Sequence, residues 1–132
     1  MSEPAGIERH VFVYGTLRRG ECNDITRLRP APRWLGWARV RGTLYDLGAY
    51  PGMLLGGDGW VQGEVYAIEP ELEHQLDCIE EVAPVPSGEY HRREVVVELE
   101  LQGRRLSCLV YEIDPQRVRD APRIPGGDWR RR

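Results

Sequence analysis

Hydrophobic and polar residues alternate over several short stretches of the chain, and this pattern predicts strands. The first stretch, from Val11 to Tyr14, is β-branched or aromatic throughout, as is typical of a buried strand. Residues 39–47 and 60–68 alternate with a period of two, as half-exposed strands do. We therefore expect at least three strands in the first half of the chain.

Two further strands are predicted near the C-terminus, over residues 93–101 and 104–113. Gln102-Gly103 lies between them, which indicates a tight hairpin and therefore antiparallel pairing. The first of these strands places four apolar side chains on one face: Val95, Val97, Leu99 and Leu101.

One segment, residues 69–82, has helical spacing. Pro70 lies near its start, where a missing N–H is tolerated, and acidic residues occupy the first turn. Its apolar residues form one stripe: Leu72, Leu76, Ile79 and Val82. The proline-rich residues 83–88 end the helix.

Glycine and proline divide the remaining chain. Two prolines in residues 29–33 predict a loop, and the glycine-rich residues 56–59 predict a turn between two strands. Prolines and glycines also forbid long regular structure from Asp114 onward, although Trp129 suggests that this tail packs against the protein.

Together these elements predict an α+β fold, a small mixed, mostly antiparallel β-barrel of about five to six strands with one main packed helix. The 132 residues fit a single domain, 1–132, with irregular tails at 1–8 and at about 114–132. No internal repeat divides the chain.

Composition narrows the setting of the protein. It is 41% hydrophobic and 30% charged, and no apolar run approaches the roughly 20 residues that span a bilayer, so we expect no membrane partner. The N-terminus lacks signal-peptide character, which favours a cytoplasmic protein. The net charge of −3 argues against nucleic acid, although all 18 basic residues are arginines and some are clustered.

The cysteines and histidines give weak signals. Cys22, Cys78 and Cys108 are widely spaced, which argues against disulfides and a cysteine-only zinc site. His74 stands one turn before Cys78, but further metal ligands are lacking, so we predict no metal. A nucleophile pair of Cys22 with His10 or His91 has no local signature.

Two features could carry chemistry. The first strand runs into a loop at Gly15, where a missing side chain permits close approach of a ligand to the backbone, although a simple surface turn explains the same residues. Glu80 lies at the edge of the apolar stripe, where partial desolvation would raise its pKa. From position alone, an ion pair of Glu80 with Arg92 or Arg93 is the favoured interpretation.

In combination, these segments resemble the gamma-glutamylcyclotransferase family, and within it the gamma-glutamylamine cyclotransferase-like (AIG2-like) and small bacterial members. The similar motifs, in family order, are Tyr14-Gly15-Thr16-Leu17, residues 42–52, residues 61–66, Leu76-Asp77-Cys78-Ile79-Glu80, Tyr90-His91-Arg92 and Gly127-Asp128-Trp129. Two departures are Glu81, where many members have glycine, and a longer segment from Glu80 to Tyr90.

The resemblance implies an enzyme that needs no cofactor, metal or nucleophile of its own. The α-amine of a small gamma-glutamyl substrate attacks its own γ-carbonyl and releases 5-oxoproline and an amine. The same resemblance implies that Glu80 is the general acid/base. Backbone amides of Gly15, Thr16 and Leu17 are expected to bind the substrate, and Tyr14 and Tyr90 to line the pocket.

Some alternatives stay open at this stage. A non-catalytic module that binds a small gamma-glutamyl-type ligand on the same fold is the alternative function, because fold does not fix activity. The sequence does not define the leaving amine or the oligomeric state. It also leaves open the role of the arginine-rich C-terminus and the effect of Glu81 on specificity.

Overall fold

The computed structural model describes residues 9–132, and the predicted N-terminal tail at 1–8 lies outside them. The helix and strands are β1 (Arg9–Val13), β2 (Arg33–Asp46), β3 (Pro51–Ile68), α1 (Pro70–Ile79), β4 (Tyr90–Glu98) and β5 (Arg105–Ile113). Short 3-10 helices occupy Ile25–Arg27, Pro115–Val118 and Trp129–Arg131. The predicted α+β class is confirmed.

The five strands form one sheet in the order β2-β3-β1-β5-β4. Neighbours pair antiparallel except β1 and β5, which run parallel with Val11 opposite Leu109. The predicted mixed, mostly antiparallel sheet is therefore confirmed. Its central strand, β1, ends beside the loop that begins at Tyr14 and Gly15.

The predicted closure into a barrel is wrong. The outer strands β2 and β4 do not pair with each other in the described residues, and only Leu99, just after β4, forms an isolated bridge with Ala38 of β2. Further along β2, the C-terminal segment takes the outer edge: the Ile124 N–H donates to the Leu44 carbonyl (2.8 Å), and the Asp46 N–H donates to the Pro122 carbonyl (2.8 Å). That edge cannot also pair with β4, so the sheet stays open.

The break predicted at residues 56–59 is not an end of a strand. β3 continues from Pro51 to Ile68, and the glycines form a bulge, since Arg41 pairs with Trp60 while the next residue, Gly42, pairs with Leu55. Gly56 and Gly57 have φ values of 93° and 84°, which favour glycine. The residues expected to form a turn between two strands therefore lie inside one long strand.

Helix α1 is shorter than predicted and begins at Pro70 and ends at Ile79. Leu72 and Leu76 are buried against the sheet, but Ile79 is 37% exposed, so the predicted apolar stripe fails in its last turn. Within residues 9–132, no helix combines the length and apolar character needed to cross a membrane.

Two apolar clusters fill the two sides of the sheet. One contains Leu72 and Leu76 of α1, together with Ile25 and Val118. The other includes Trp129, which is only 2% exposed, so packing of the C-terminal tail against the protein is confirmed. Burial of so large an aromatic side chain fixes residues near it, including Asp128.

Candidate active site

A cavity of about 320 Å³ lies where β1 ends, beside the C-terminus of α1. All six predicted site residues line it: Tyr14, Gly15, Thr16, Leu17, Glu80 and Tyr90. Residues that the sequence did not single out as site residues line it as well, among them Tyr50, Glu81, Glu89 and Tyr111. The size suits a small molecule.

The loop after β1 is folded by its own carbonyl groups. The carbonyls of Gly15, Thr16 and Leu17 accept from the N–H groups of Arg18, Asn23 and Ile25, at 2.9–3.0 Å. Among the described residues, no protein group accepts a hydrogen bond from the N–H groups of Gly15, Thr16 and Leu17. Amide groups that hold no protein partner can bind a carboxylate or an oxyanion.

Position 15 of this loop has no room for a side chain, so it requires glycine. A Cβ there would lie 2.6 Å from Cγ of Pro51, well inside van der Waals contact. The pyrrolidine ring is rigid and cannot move aside easily. The loop therefore reaches its position against β3 only because residue 15 has no side chain.

Glu80 is placed by the way α1 ends. It is the C-cap residue, and its N–H bonds to the Leu76 carbonyl (2.9 Å). The next two residues complete a Schellman motif: Glu81 N–H to Cys78 carbonyl (3.1 Å) and Val82 N–H to Asp77 carbonyl (2.9 Å). This turn fixes the backbone of Glu80 at the cavity wall.

The prediction that Glu80 forms an ion pair with Arg92 or Arg93 is wrong. Arg92 binds Asp77 at 2.8 Å and Glu73, and Arg93 binds Glu112 at 3.0 Å. Within residues 9–132, the Glu80 carboxylate makes no ion pair. Burial, together with the negative charges of Glu89 and Glu81, raises its pKa to about 7.

The two predicted pocket tyrosines are held by hydrogen bonds to backbone. The Tyr14 hydroxyl donates to the Tyr111 carbonyl (2.6 Å) and accepts from the Met53 N–H (3.2 Å). The Tyr90 hydroxyl donates to the Pro51 carbonyl (2.7 Å). Burial raises the pKa of both phenols, so both stay neutral and serve as fixed walls.

A partly buried network is centred on Asp77, three residues before Glu80. The Asp77 carboxylate accepts from the Tyr111 hydroxyl (2.7 Å) and from the Arg92 guanidinium (2.8 Å). The bonds join α1 to β4 and β5, and they fix the helix turn that carries Glu80. The sequence motifs included Asp77 and Arg92, but no local signal indicated Tyr111 as their partner.

A second network anchors the loop after β1. Arg18 donates to Glu64 (3.0 Å) and to Asp128 (2.9 Å), and both Arg18 and Glu64 side chains are nearly inaccessible, at 3% and 1% exposed. Glu64 also accepts from the Arg19 N–H (2.9 Å) and the Tyr66 hydroxyl (3.0 Å). The sequence did not predict this network, and its only local signal is a carboxylate, Glu64, within a run of mostly apolar residues.

The other weak candidates do not assemble. Cys22 lines the cavity but neither His10 nor His91 does, and His91 pairs with Asp114 (Nε2 to Oδ1, 3.0 Å). The described residues contain no group of three or more histidine, cysteine, aspartate or glutamate side chains placed to hold a metal ion.

Replacing Glu81 by Gly is expected to stabilise the protein. Glu81 has a φ of 58°, a left-handed conformation that costs a non-glycine residue about 1 kcal/mol. The Glu81→Ala variant is the matched control, because it removes the same carboxylate but keeps a Cβ. We expect the free energy of unfolding to be about 1 kcal/mol higher for Gly than for Ala in urea titrations. Equal values would contradict strain at this position.

Comparison with known proteins places this geometry. The family model of gamma-glutamyl cyclotransferase, AIG2-like, matches residues 11–131. A putative gamma-glutamylcyclotransferase of Vibrio cholerae is 48% identical over 84 residues, which cover 62% of this chain and 67% of that protein.

Solved structures agree. The mouse AIG2-like protein superposes with a TM-score of 0.72 at 27% identity, covering 86% of this chain and 84% of that one. YkqA from Bacillus subtilis also gives a TM-score of 0.72 at 28% identity, but the 95% of this chain that aligns spans only 40% of YkqA. The chain therefore belongs to the gamma-glutamyl cyclotransferase, AIG2-like, family.

Proposed function

We propose that the protein is a cyclotransferase that releases 5-oxoproline from a gamma-glutamyl amine or gamma-glutamyl peptide. The observation that carries the proposal is that Glu80, with a pKa raised to about 7, lines the same cavity as Gly15, Thr16 and Leu17, whose amides have no protein partner among residues 9–132. A carboxylate with such a pKa exchanges a proton near neutral pH.

In the proposed reaction, the nucleophile belongs to the substrate. The α-amine nitrogen forms a bond to the γ-carbonyl carbon, and Glu80 takes the proton that this nitrogen loses. The bond from that carbon to the leaving nitrogen then breaks, and Glu80 returns the proton to the departing amine. Because ring closure is intramolecular, holding one conformer supplies an effective molarity of about 10⁵–10⁸ M.

The amides of Gly15, Thr16 and Leu17 are assigned to the negative charge of the substrate, either its α-carboxylate or the oxyanion that develops at the γ-carbonyl. Tyr14 and Tyr90 form the walls. Preorganised N–H dipoles act strongly on such charge because they need no reorientation during the reaction.

The direct test is release of 5-oxoproline by the purified protein from a panel of gamma-glutamyl amines and dipeptides, followed by chromatography. Turnover of at least one compound is expected. Absence of turnover across the panel, with a gamma-glutamyl compound still raising the melting temperature, would support the non-catalytic binding module instead.

The rate is expected to depend on pH through Glu80. The carboxylate must be ionised to accept a proton, so kcat/KM should rise along an acid limb with a midpoint near the pKa of about 7. In Glu89→Gln, the midpoint should move to lower pH, since the charge of Glu89 raises this pKa. Titration of the substrate amine is common to both proteins. Identical acid limbs would contradict the assignment.

A further inference from the structure

We propose that the cavity selects gamma-glutamyl amines whose leaving amine carries a second positive charge, and that Glu81 and Glu89 make this selection. The inference rests on the proposed function and names the substrate class for it. It follows from the charges around the cavity and from the position of Glu81.

The lining of the cavity is acidic. Three of the described residues that line it carry carboxylates, namely Glu80, Glu81 and Glu89. None of the described lining residues is an arginine or a histidine. Arg117 is close enough to act on the Tyr50 hydroxyl, but it is not part of the lining. These carboxylates would therefore repel a carboxylate on the leaving group and attract an ammonium group there.

Glu81 and Glu89 exchange no proton in the proposed reaction, and their charges act on it only by raising the pKa of Glu80. Glu80 exchanges the proton, and the amides after β1 bind the negative charge of the head group. Glu81 follows Glu80 directly, and Glu89 precedes Tyr90, so both flank residues at the reacting centre. They are left to contact the departing portion of the substrate.

The conformation of Glu81 supports a functional reason for its charge. Its φ of 58° is one that glycine adopts freely, yet the chain carries a glutamate there, and Glu81 is one of the residues that line the cavity. Strain of this kind persists where the surrounding structure and the function require the residue.

An aromatic surface adds to the attraction for a cation. Glu89 is hydrogen bonded to the Tyr50 hydroxyl, and the Tyr50 and Tyr90 rings lie 6.5 Å apart between centroids. All three residues line the cavity. Carboxylates beside aromatic faces bind ammonium groups by charge and by cation–π attraction together.

Three amides of the same head group test the inference. The gamma-glutamyl amides of 1,4-diaminobutane, n-pentylamine and 5-aminopentanoate have leaving groups of similar length that end in a cation, a methyl group and an anion. We expect kcat/KM to fall in that order, with a span of at least about tenfold, and the span to narrow at high salt.

Variants assign the selection to residues. Glu81→Gln and Glu89→Gln should each reduce the ratio of kcat/KM between the cationic and the neutral amide. A change in the pKa of Glu80 affects both amides and cancels in this ratio. Glu71→Gln removes an exposed carboxylate from the first turn of α1, and this control should keep the ratio of the parent.

The outcomes separate the two proposals. Equal kcat/KM for all three amides would overturn the charge selection and leave the cyclotransferase standing. A preference for the cation that survives in the Glu81→Gln/Glu89→Gln double variant would overturn the assignment to these residues. Absence of 5-oxoproline from all three amides, while another compound of the panel reacts, would overturn the inference alone, and absence across the whole panel would overturn the proposed function and the inference with it.

Discussion

Replacing Glu80 by Gln is expected to lower kcat for 5-oxoproline release by about 10²–10⁴-fold, the usual contribution of a positioned general acid/base. Glutamine keeps the size of the side chain but cannot take or return a proton. Substrate binding should be retained, because the head group is assigned to the amides after β1. The measurement is kcat and KM with a gamma-glutamyl amine near neutral pH.

The fold should tolerate this change. Within residues 9–132, the Glu80 side chain makes no ion pair, and its backbone N–H bond to Leu76 does not depend on the side chain. Because the folded-state pKa is raised above its ordinary value, ionisation of Glu80 opposes folding: the stability present at low pH is lost as pH rises toward about 7.

The Gln variant should therefore unfold at a temperature equal to or above that of the parent at about pH 8. Glu71→Gln is the control, since it makes the same charge change at an exposed position on the same helix. A Glu80→Gln enzyme with the turnover of the parent would remove Glu80 from the reaction. Loss of activity together with loss of folding would instead assign it a structural role.

Local pattern predicted the elements that local forces determine. The buried strand up to Tyr14, the helix that begins at Pro70 and the antiparallel hairpin near Gly103 each follow from spacing over a few residues, and all three are present. Barrel closure failed because it depends on which distant segment pairs with β2, and residues 122–124 take that edge.

The same limit applies to the site. The helical wheel placed Glu80 at the edge of a stripe, but the partner of Arg92 depends on how β4 lies against α1. In the structure Arg92 forms an ion pair with Asp77, and Glu80 has no ion pair in the described part of the chain. Likewise, Glu64 sits in an apolar strand segment, but its partner Arg18 is 46 residues away in sequence.

Replacing Arg18 by Met is expected to destabilise the fold by about 3–5 kcal/mol, the usual cost of removing one member of a buried ion pair. The Glu64 carboxylate, whose side chain is 1% exposed, would keep the Arg19 N–H and the Tyr66 hydroxyl but lose its cation. The free energy of unfolding from urea titrations measures the effect.

Arg19→Met is the matched control for this prediction. Arg19 is the adjacent arginine and is exposed, and its contact with Glu64 uses the backbone N–H, which the substitution retains. Its effect should stay within about 0.5 kcal/mol. Similar losses in Arg18→Met and Arg19→Met would contradict the buried network.

The double variant Arg18→Met/Glu64→Leu separates burial of an unpaired charge from loss of attraction. Removing both charges should recover much of the stability lost in Arg18→Met, because no uncompensated Glu64 carboxylate is left inside. Activity should recover less than stability, since the Arg18 contacts to Glu64 and Asp128 also hold the loop of Gly15, Thr16 and Leu17, which line the cavity. Full recovery of both would reduce the network to a stabilising role without influence on the site.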